Sequence, residues 1–357
     1  MSLKKRLSTA QVIKNADEIF HGLRWKYGIV VCPYCGSIHI KEYDGYKYKC
    51  NDCKYRFTDK TNTLMHGSKL PVSVWMQAIY ELSIDNFIPS TLLATKLGIN
   101  QKSAWLLRMK LDYSMEQDRT ILEGVIAQDE MYVGGCLSNY HYSRKWDLLR
   151  KGHYIKGDEK RYSREAIFAL NSDLKQPVFG MNDGKQIVLY ATPNPVKSQY
   201  IKYIYNKHAR TGSIVVSDES MLYNGWKGEI YTNNHHNNQY KTNNGLTSNR
   251  IENTFSWYKR GFIRLTHCKY HQFYLNEFAF RYNHRDMSTE DVFREMITGT
   301  IGKHITYKDI RAYKPYKGFK IPKNNNLSMD DIKRMLQCGC VEWIEQNHRI
   351  YTRDMFD

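Results

Sequence analysis

The sequence predicts a mixed α/β protein assembled from several modules, and three observations carry that expectation. Two Cys-x-x-Cys pairs near the N-terminus lie in a stretch with little apolar periodicity, as in a small module held by something other than a core. Helical spacing of apolar residues follows over 72–111. Short β-branched or alternating runs bounded by Gly, Pro, Asn or Asp then occupy much of 124–217, before helical spacing resumes at 249–262 and 273–282.

A chain of 357 residues fits one large domain or two to three ordinary ones, and because single cores rarely grow well beyond about 200–250 residues several modules are expected. The expected boundaries are 1–66 for the Cys-rich module with its N-terminal arm, 67–118 for the helical module, 119–299 for the strand-rich module with a basic insertion at 135–164, and 300–357 for a helical tail. No apolar run reaches the ~20 residues of a bilayer span, so no membrane partner is expected. The N-terminal Met-Ser-Leu-Lys-Lys-Arg leads into polar residues rather than the apolar core of a secretory signal. The expected location is therefore the cytoplasm of a bacterium, or the nucleus of a eukaryotic host. With 53 Lys and Arg against 36 Asp and Glu, the net charge is +17, and counterion release makes nucleic acid the leading partner. Four of the eight cysteines form the two pairs and four are scattered (Cys136, Cys268, Cys338, Cys340), a usage that suits a metal site better than a disulfide framework.

The pairs Cys32-Pro-Tyr-Cys35 and Cys50-Asn-Asp-Cys53 are separated by 14 residues. Two such knuckles bring four thiolates to the corners of a tetrahedron, the geometry of a structural Zn²⁺ site. Tyr46, Tyr48, Tyr55 and Phe57 are expected to pack over the metal, and Lys41, Lys47, Lys49, Lys54 and Arg56 favour DNA as the ribbon's partner.

Residues 90–109 have the layout of a helix, a turn at Gly98 and a second helix starting at Asn100 or Gln101. Leu92, Leu93 and Leu97 are expected against Ala104, Leu107 and Met109, leaving Gln101, Lys102, Ser103 and Arg108 to face a DNA groove. An ordinary helical hairpin has the same apolar pattern; the cationic, amide-rich outer set favours the helix-turn-helix.

Strands are expected at 125–133, 164–171, 186–191 and 213–217, with a helix over 196–209. The long, basic, aromatic stretch 134–164 reads as a loop, with Arg144 and Lys145 as candidate DNA contacts. A second irregular stretch, 232–244, is dominated by Asn and His. Three acids stand out by position. Asp129 shares a strand face with Val125 and Ala127, Asp218 ends an apolar strand, and Glu252 lies on a helix with Lys259 two turns on along the same face. Two strand carboxylates and one helix carboxylate, brought together, hold two divalent ions about 4 Å apart and support in-line displacement at phosphorus. Glu130 and Glu219 alternate to the opposite strand face. The tail carries a basic linker, 314–323, and a helix over 329–346 capped by Ser328.

The stretches Gln128-Asp-Glu-Met-Tyr-Val-Gly-Gly135, Val216-Ser-Asp-Glu219, Ser248-Asn-Arg-Ile-Glu-Asn-Thr-Phe-Ser-Trp-Tyr-Lys-Arg-Gly261 and Asn276-Glu-Phe-Ala-Phe-Arg-Tyr-Asn-His284 resemble the zinc-ribbon insertion-sequence transposases related to the Merlin elements. The resemblance implies a ribonuclease H-like catalytic domain and DDE chemistry with Mg²⁺ or Mn²⁺. It also implies assembly as a homo-oligomer on double-stranded DNA, both terminal inverted repeats and target. It puts the first acid on Asp129, the second on Asp218, the third on Glu252 and the basic residue on Lys259. Some relatives have Asn in place of the third acid, which makes Asn249, one turn earlier, a secondary candidate; His235 is implied near the active site. Met131 stands where Thr is usual, and the basic loop after Gly135 and the tail after Gly299 depart from the family pattern. Two alternatives stand beside this reading: a non-catalytic DNA-binding regulator, and a ribonuclease H-like nuclease or resolvase.

Overall fold

The computed structural model describes residues 9–85, 87–134, 141–151, 175–194, 196–218, 230–233, 247–262 and 270–313. They fall into two compact units, one drawn from Met1–Glu116 and Asn276–Tyr313, the other from Gln117–Leu275.

The first unit opens with α1 (Thr9–Lys14) and α2 (Ala16–Arg24), followed by a three-stranded antiparallel sheet of β1 (Ile40–Tyr43), β2 (Lys47–Cys50) and β3 (Arg56–Thr58). Tyr48 and Phe57 sit opposite each other in register and stack at 5.2 Å, with Trp25, Val30, Cys32 and Cys50 completing a small core. A core this small needs bracing, and α2 supplies it. Trp25 Nε1 donates to Asp59 at 2.6 Å, His21 Nδ1 lies 2.9 Å from the other oxygen of Asp59, and Arg24 donates to the Thr61 carbonyl. Burial lowers the Arg24 guanidinium to about 10 against the pull of Asp59.

Next come α3 (Val72–Ile84), α4 (Ser90–Leu97) and α5 (Gln101–Ser114). Gly98 ends α4 in the left-handed region (φ 64°), which an L side chain resists, and Asn100 caps α5 by accepting the Ser103 N–H at 2.8 Å. Leu93, Leu97, Ala104, Leu107 and Met109 are buried as the spacing predicts. Leu92 is not among them, at 44% exposed, because consecutive helical residues diverge by about 100° and Leu93 takes the inward position.

Arg108 corrects a further expectation. It is 3% exposed and faces inward: its guanidinium donates to the Ile88 carbonyl and, at 2.8 Å, to Glu277 of α9 (His271–Asn283). Arg281 reaches the same carboxyl at 2.9 Å and Asp112 lies 3.6 Å from Arg108, so two acids and two arginines share one buried network. Burial would raise Glu277, but Arg281 and Arg108 outweigh it and hold the carboxyl low. Burial and the charge of Glu277 drive Asp112 upward. Such a charge is kept inside by its partners, and Arg108 is not available to a DNA groove.

The unit closes with α10 (Thr289–Thr298), where Phe293 meets Tyr80 edge-on at 5.7 Å, and α11 (Tyr307–Ala312). The chain between them bridges back at Thr63–Ile301, and Leu64 donates to the Thr300 carbonyl. Residues 276–313 thus pack with the N-terminal part of the chain.

The second unit is a five-stranded sheet in the order β6-β5-β4-β7-β8, made of β4 (Val125–Val133), β5 (Gln176–Asn182), β6 (Ile187–Ala191), β7 (Ile214–Asp218) and β8 (Ile230–Asn233). β4, β5 and β6 run antiparallel in sequence, whereas β7 is parallel to both β4 and β8. β5, the neighbour of β4, escapes the sequence pattern because Pro177 and Gly180 lower its strand propensity. The expected strand 164–171, most of the Asn/His-rich stretch and the tail helix 329–346 lie outside the described residues. Part of the basic stretch expected as a loop is a helix, α6 (Tyr142–Lys151): neither Gly nor Pro interrupts it, and Leu149 is fully buried.

One face of the sheet, with Ile126, Phe179, Met181 and Val188, packs on Ile201 and Ile204 of α7 (Ser198–His208). The opposite face receives α8 (Asn249–Phe262), where Asn182 Nδ2 donates to Thr254 Oγ1 at 2.9 Å. At the outer strand β6, side-chain amides take up the outward backbone groups. Gln117 both accepts from Leu189 N–H (2.7 Å) and donates to its carbonyl (2.8 Å), and Gln272 accepts from Ala191 N–H. Among the described residues no helix is long and apolar enough to cross a membrane.

Candidate functional site

The four cysteines converge. Their sulfurs all lie within 4.8 Å of one another, with Cys32–Cys53 at 3.5 Å and Cys35–Cys50 at 3.6 Å. Thiolates about 2.3 Å from a tetrahedral Zn²⁺ stand about 3.8 Å apart, so the set fits a structural zinc. Among the described residues this is the one group of three or more His, Cys, Asp or Glu side chains arranged to hold a cation. The first knuckle is shaped by backbone bonds from Gly36 N–H to Cys32 and from Cys32 N–H to Ser37. Of the aromatics expected over the metal, Tyr48 and Phe57 enter the ribbon core, Tyr46 packs beside His21, and Tyr55 is 62% exposed against Tyr34. Lys41, Lys47, Lys54 and Arg56 are exposed and Lys49 is half-buried.

The acids are placed by register. In the parallel pair β4–β7, Val125, Ile126 and Ala127 sit opposite Ile214, Val215 and Val216, and Asp129 and Asp218 each come two residues after the last of these pairs. On the other side, Asp129 sits opposite Gly180 of β5. Directly opposed residues of an antiparallel pair present their side chains to one face. At Gly180 that face is closed by α8: a Cβ there would come within 2.6 Å of Phe255 Cε1 and 2.8 Å of Ile251 Cδ1. Asp129 therefore shares its face with α8, the helix that carries Glu252. Asp129 is half-buried, and its Oδ1 accepts the N–H of Glu130 at 2.7 Å. Glu252 is exposed, and its Oε1 accepts the Ser248 hydroxyl at 2.7 Å. Asn249 and Lys259 are exposed on the same helix, one turn before Glu252 and two turns after it. His235 lies outside the described residues.

Gln101 and Lys102 are exposed and Ser103 is half-buried at the start of α5; on α6, Arg144 is exposed and Lys145 half-buried. Three residues that bear on the acid face were missed by sequence reasoning: Gly180, Asn182 and Thr254. The signal for the first, a glycine inside an apolar run, was available; the other two needed the packing of α8.

Residues 121–283 match the ISXO2-like transposase domain, and residues 14–56 match the transposase zinc-ribbon domain; together the two cover more than half of the chain. The chain belongs to the zinc-ribbon insertion-sequence transposases. The ribbon match ends within β3 and contains all four cysteines, so the structural zinc belongs to the family's own module. The transposase match contains Asp129, Asp218, Glu252 and Lys259. The chain is also similar, at 26% identity over 155 residues, to an uncharacterized protein in transposable element ISH50 of Halobacterium salinarum. That alignment covers 41% of this chain, which spans about half (52%) of the curated relative's length. No solved structure matches.

Proposed function

We propose that this transposase binds the terminal inverted repeats of its element and catalyses metal-dependent cleavage and strand transfer of double-stranded DNA. The observation that carries the reading is the register that sets Asp129 and Asp218 at the same level of adjacent parallel strands, on a sheet whose Asp129 face is covered by the Glu252 helix. The strand order, three antiparallel strands flanked by two parallel ones, supports a ribonuclease H-like domain. Within the chain we read 1–66 as ribbon and arm, 67–118 as helix-turn-helix, 119–299 as the catalytic region with its insertion at 135–164, and 300–357 as the tail.

Asp129, Asp218 and Glu252 are the residues that would hold Mg²⁺ or Mn²⁺; an all-carboxylate donor set suits these hard cations. Bound there, the ions supply activation of the attacking oxygen and stabilisation of the leaving one. The protein's part is alignment. The Ser248 hydroxyl orients Glu252, the Glu130 N–H orients Asp129, and the Asn182–Thr254 bond ties α8 to the sheet. Lys259 contacts a DNA phosphate, Asn249 is the alternative third ligand, and His235, outside the described residues, is a further candidate from the family resemblance. DNA is recognised by Gln101, Lys102 and Ser103 of α5, with Arg144 and Lys145 of α6 and the ribbon cations adding phosphate contacts. The active form is a homo-oligomer on DNA, working in the bacterial cytoplasm or, in a eukaryotic host, the nucleus.

The test is Mg²⁺-dependent cleavage of a labelled duplex carrying one end of the encoding element, with strand transfer to a plasmid scored in parallel. Strand-transfer products that vanish in Asp129→Ala, with duplex binding kept, are the expected result. Binding without any cleavage by the wild-type chain would favour a regulator, and cleavage without joining would favour a nuclease.

A further inference from the structure

A groove of about 480 Å³ runs along the first half of α5, lined by Gln101, Lys102, Ser103, Trp105 and Leu106 on one side and by Tyr307 of α11 on the other. The residues of α11 lie outside both matched ranges. We propose that α11 is the second wall of the DNA-binding surface and that the groove takes the sugar–phosphate backbone of a duplex strand. The proposal rests on reading α5 as the DNA-recognition helix, and it adds a contact made by the C-terminal part of the chain.

The chemistry of the groove is that of a nucleic-acid backbone. Its floor is apolar and aromatic: Trp105 and Tyr307 meet edge-on at 6.3 Å and 80°, and Tyr307 is half exposed, a surface on which a deoxyribose packs. Lys102 is the cation that lines it; on α11, which supplies Tyr307, Lys308 and Arg311 stand exposed, and the Arg311 guanidinium lies 5.8 Å over the Tyr307 ring. Among the described residues no carboxylate lines the groove. The one acid of α11, Asp309, is engaged in the helix cap, where its Oδ2 accepts the Thr306 N–H at 2.8 Å and the Thr306 hydroxyl at 2.6 Å. The same cap fixes the start of α11, and the fully buried Ile310 anchors its other face, so the wall is held in place before any ligand arrives. Phosphates carry the complementary charge at a regular spacing, and contacts to them hold a protein in register on the duplex without reading bases.

The experiment measures binding of the full-length chain to a fluorescein-labelled mixed-sequence duplex by anisotropy over a salt series. The variants are Tyr307→Ala, Tyr307→Phe, the double variant Lys308→Gln/Arg311→Gln, and Lys102→Gln as the α5 reference. Tyr307→Ala should weaken binding about tenfold, as the ring's apolar contact with the sugar is lost, with Tyr307→Phe close to wild type. The double variant should flatten the slope of log K against log salt by about 2, one unit for each lost phosphate contact. Wild-type affinity and slope in both Tyr307→Ala and the double variant, with Lys102→Gln impaired, would overturn the α11 wall and leave the α5 reading standing. An unimpaired Lys102→Gln as well would remove the α5 reading and this proposal with it. Should Tyr307→Ala lower the melting temperature, the double variant decides, since both of its side chains are exposed.

Discussion

The two candidate metal sites of this chain are built in opposite ways. The ribbon draws its four sulfurs from positions 32 to 53, and turns and one hairpin bring them together. The acids are drawn from positions 129 to 252, and nothing local relates them; a parallel strand pair sets two of them level and a helix packed on the sheet brings the third element to the same face. In the first case the metal is part of what folds the module. In the second the scaffold exists without the metal, because the sheet has its own core on α7 and the helix its own anchor at Asn182. Loss of a ligand should therefore damage structure at one site and chemistry at the other.

The largest effect is expected where chemistry alone is at stake. Asp129→Ala, Asp218→Ala and Glu252→Ala should each lower cleavage by on the order of 10³-fold or more, the equivalent of several kcal/mol of transition-state stabilisation, with duplex binding and melting temperature kept. Unfolding of these variants would break the contrast. Retained cleavage in Glu252→Ala with loss in Asn249→Ala would move the third ligand by one turn.

The ribbon should answer in the other way. Cys32→Ser should remove zinc, read by elemental analysis, and unfold residues around the knuckles, read by loss of dispersed amide signals, because binding energy there is folding energy, roughly 10 kcal/mol or more. The melting transition of the sheet unit should persist.

Gly180 sharpens the comparison, since it tests whether packing sets the acid face. Gly180→Ala puts a methyl where Phe255, Ile251 and Leu189 leave no room. It should cost about 1–3 kcal/mol of stability and, by shifting α8, on the order of 10²-fold in cleavage rate. Adding Leu189→Ala should return part of the rate, because it vacates one of the three contacts. Rate loss with no change in melting temperature would argue against displacement of the helix.

A smaller effect comes from buried histidines of the sheet unit. Burial lowers His208 and His271 to about 4, and each is held neutral, His208 between Thr120 and Tyr190, His271 against Tyr258. Their folded-state values lie below the unfolded one, near 6.5, so the stability they contribute is complete above that pH. It is lost as pH falls toward 4, by at most about 3 kcal/mol each. Melting temperatures between pH 7 and pH 5 should fall, and His208→Gln should flatten the dependence. Lys259→Ala, a positioning contact on an exposed helix face, should cost roughly tenfold in rate with the metal requirement unchanged.

The contrast between the sites also governs what could be read from residues alone. The ribbon, the Gly98 turn and the helix start at Asn100 or Gln101 are local signals with local causes, and the structure follows them. The strand of Asp129 was legible from its alternation. Its partner β5 was not, because Pro177 and Gly180 look like breaks until a helix is found lying against them. The stretch around Trp146 was hidden as a helix by its charge. Arg108 illustrates a different obstacle: an exposed cation and one buried against Glu277 have the same helical spacing, and only the partner, 169 positions away, tells them apart.

The glutamines along β6 have a consequence of another kind. A sheet that stops at an open strand invites a passing strand from another molecule to add itself, the route by which β-rich chains clump. Here the outward N–H and carbonyl of Leu189 and the N–H of Ala191 are already taken by Gln117 and Gln272. In the homo-oligomer proposed above, copies of the chain would meet at high local density. Two amides along the outer side of β6 leave that margin with little to offer a passing strand.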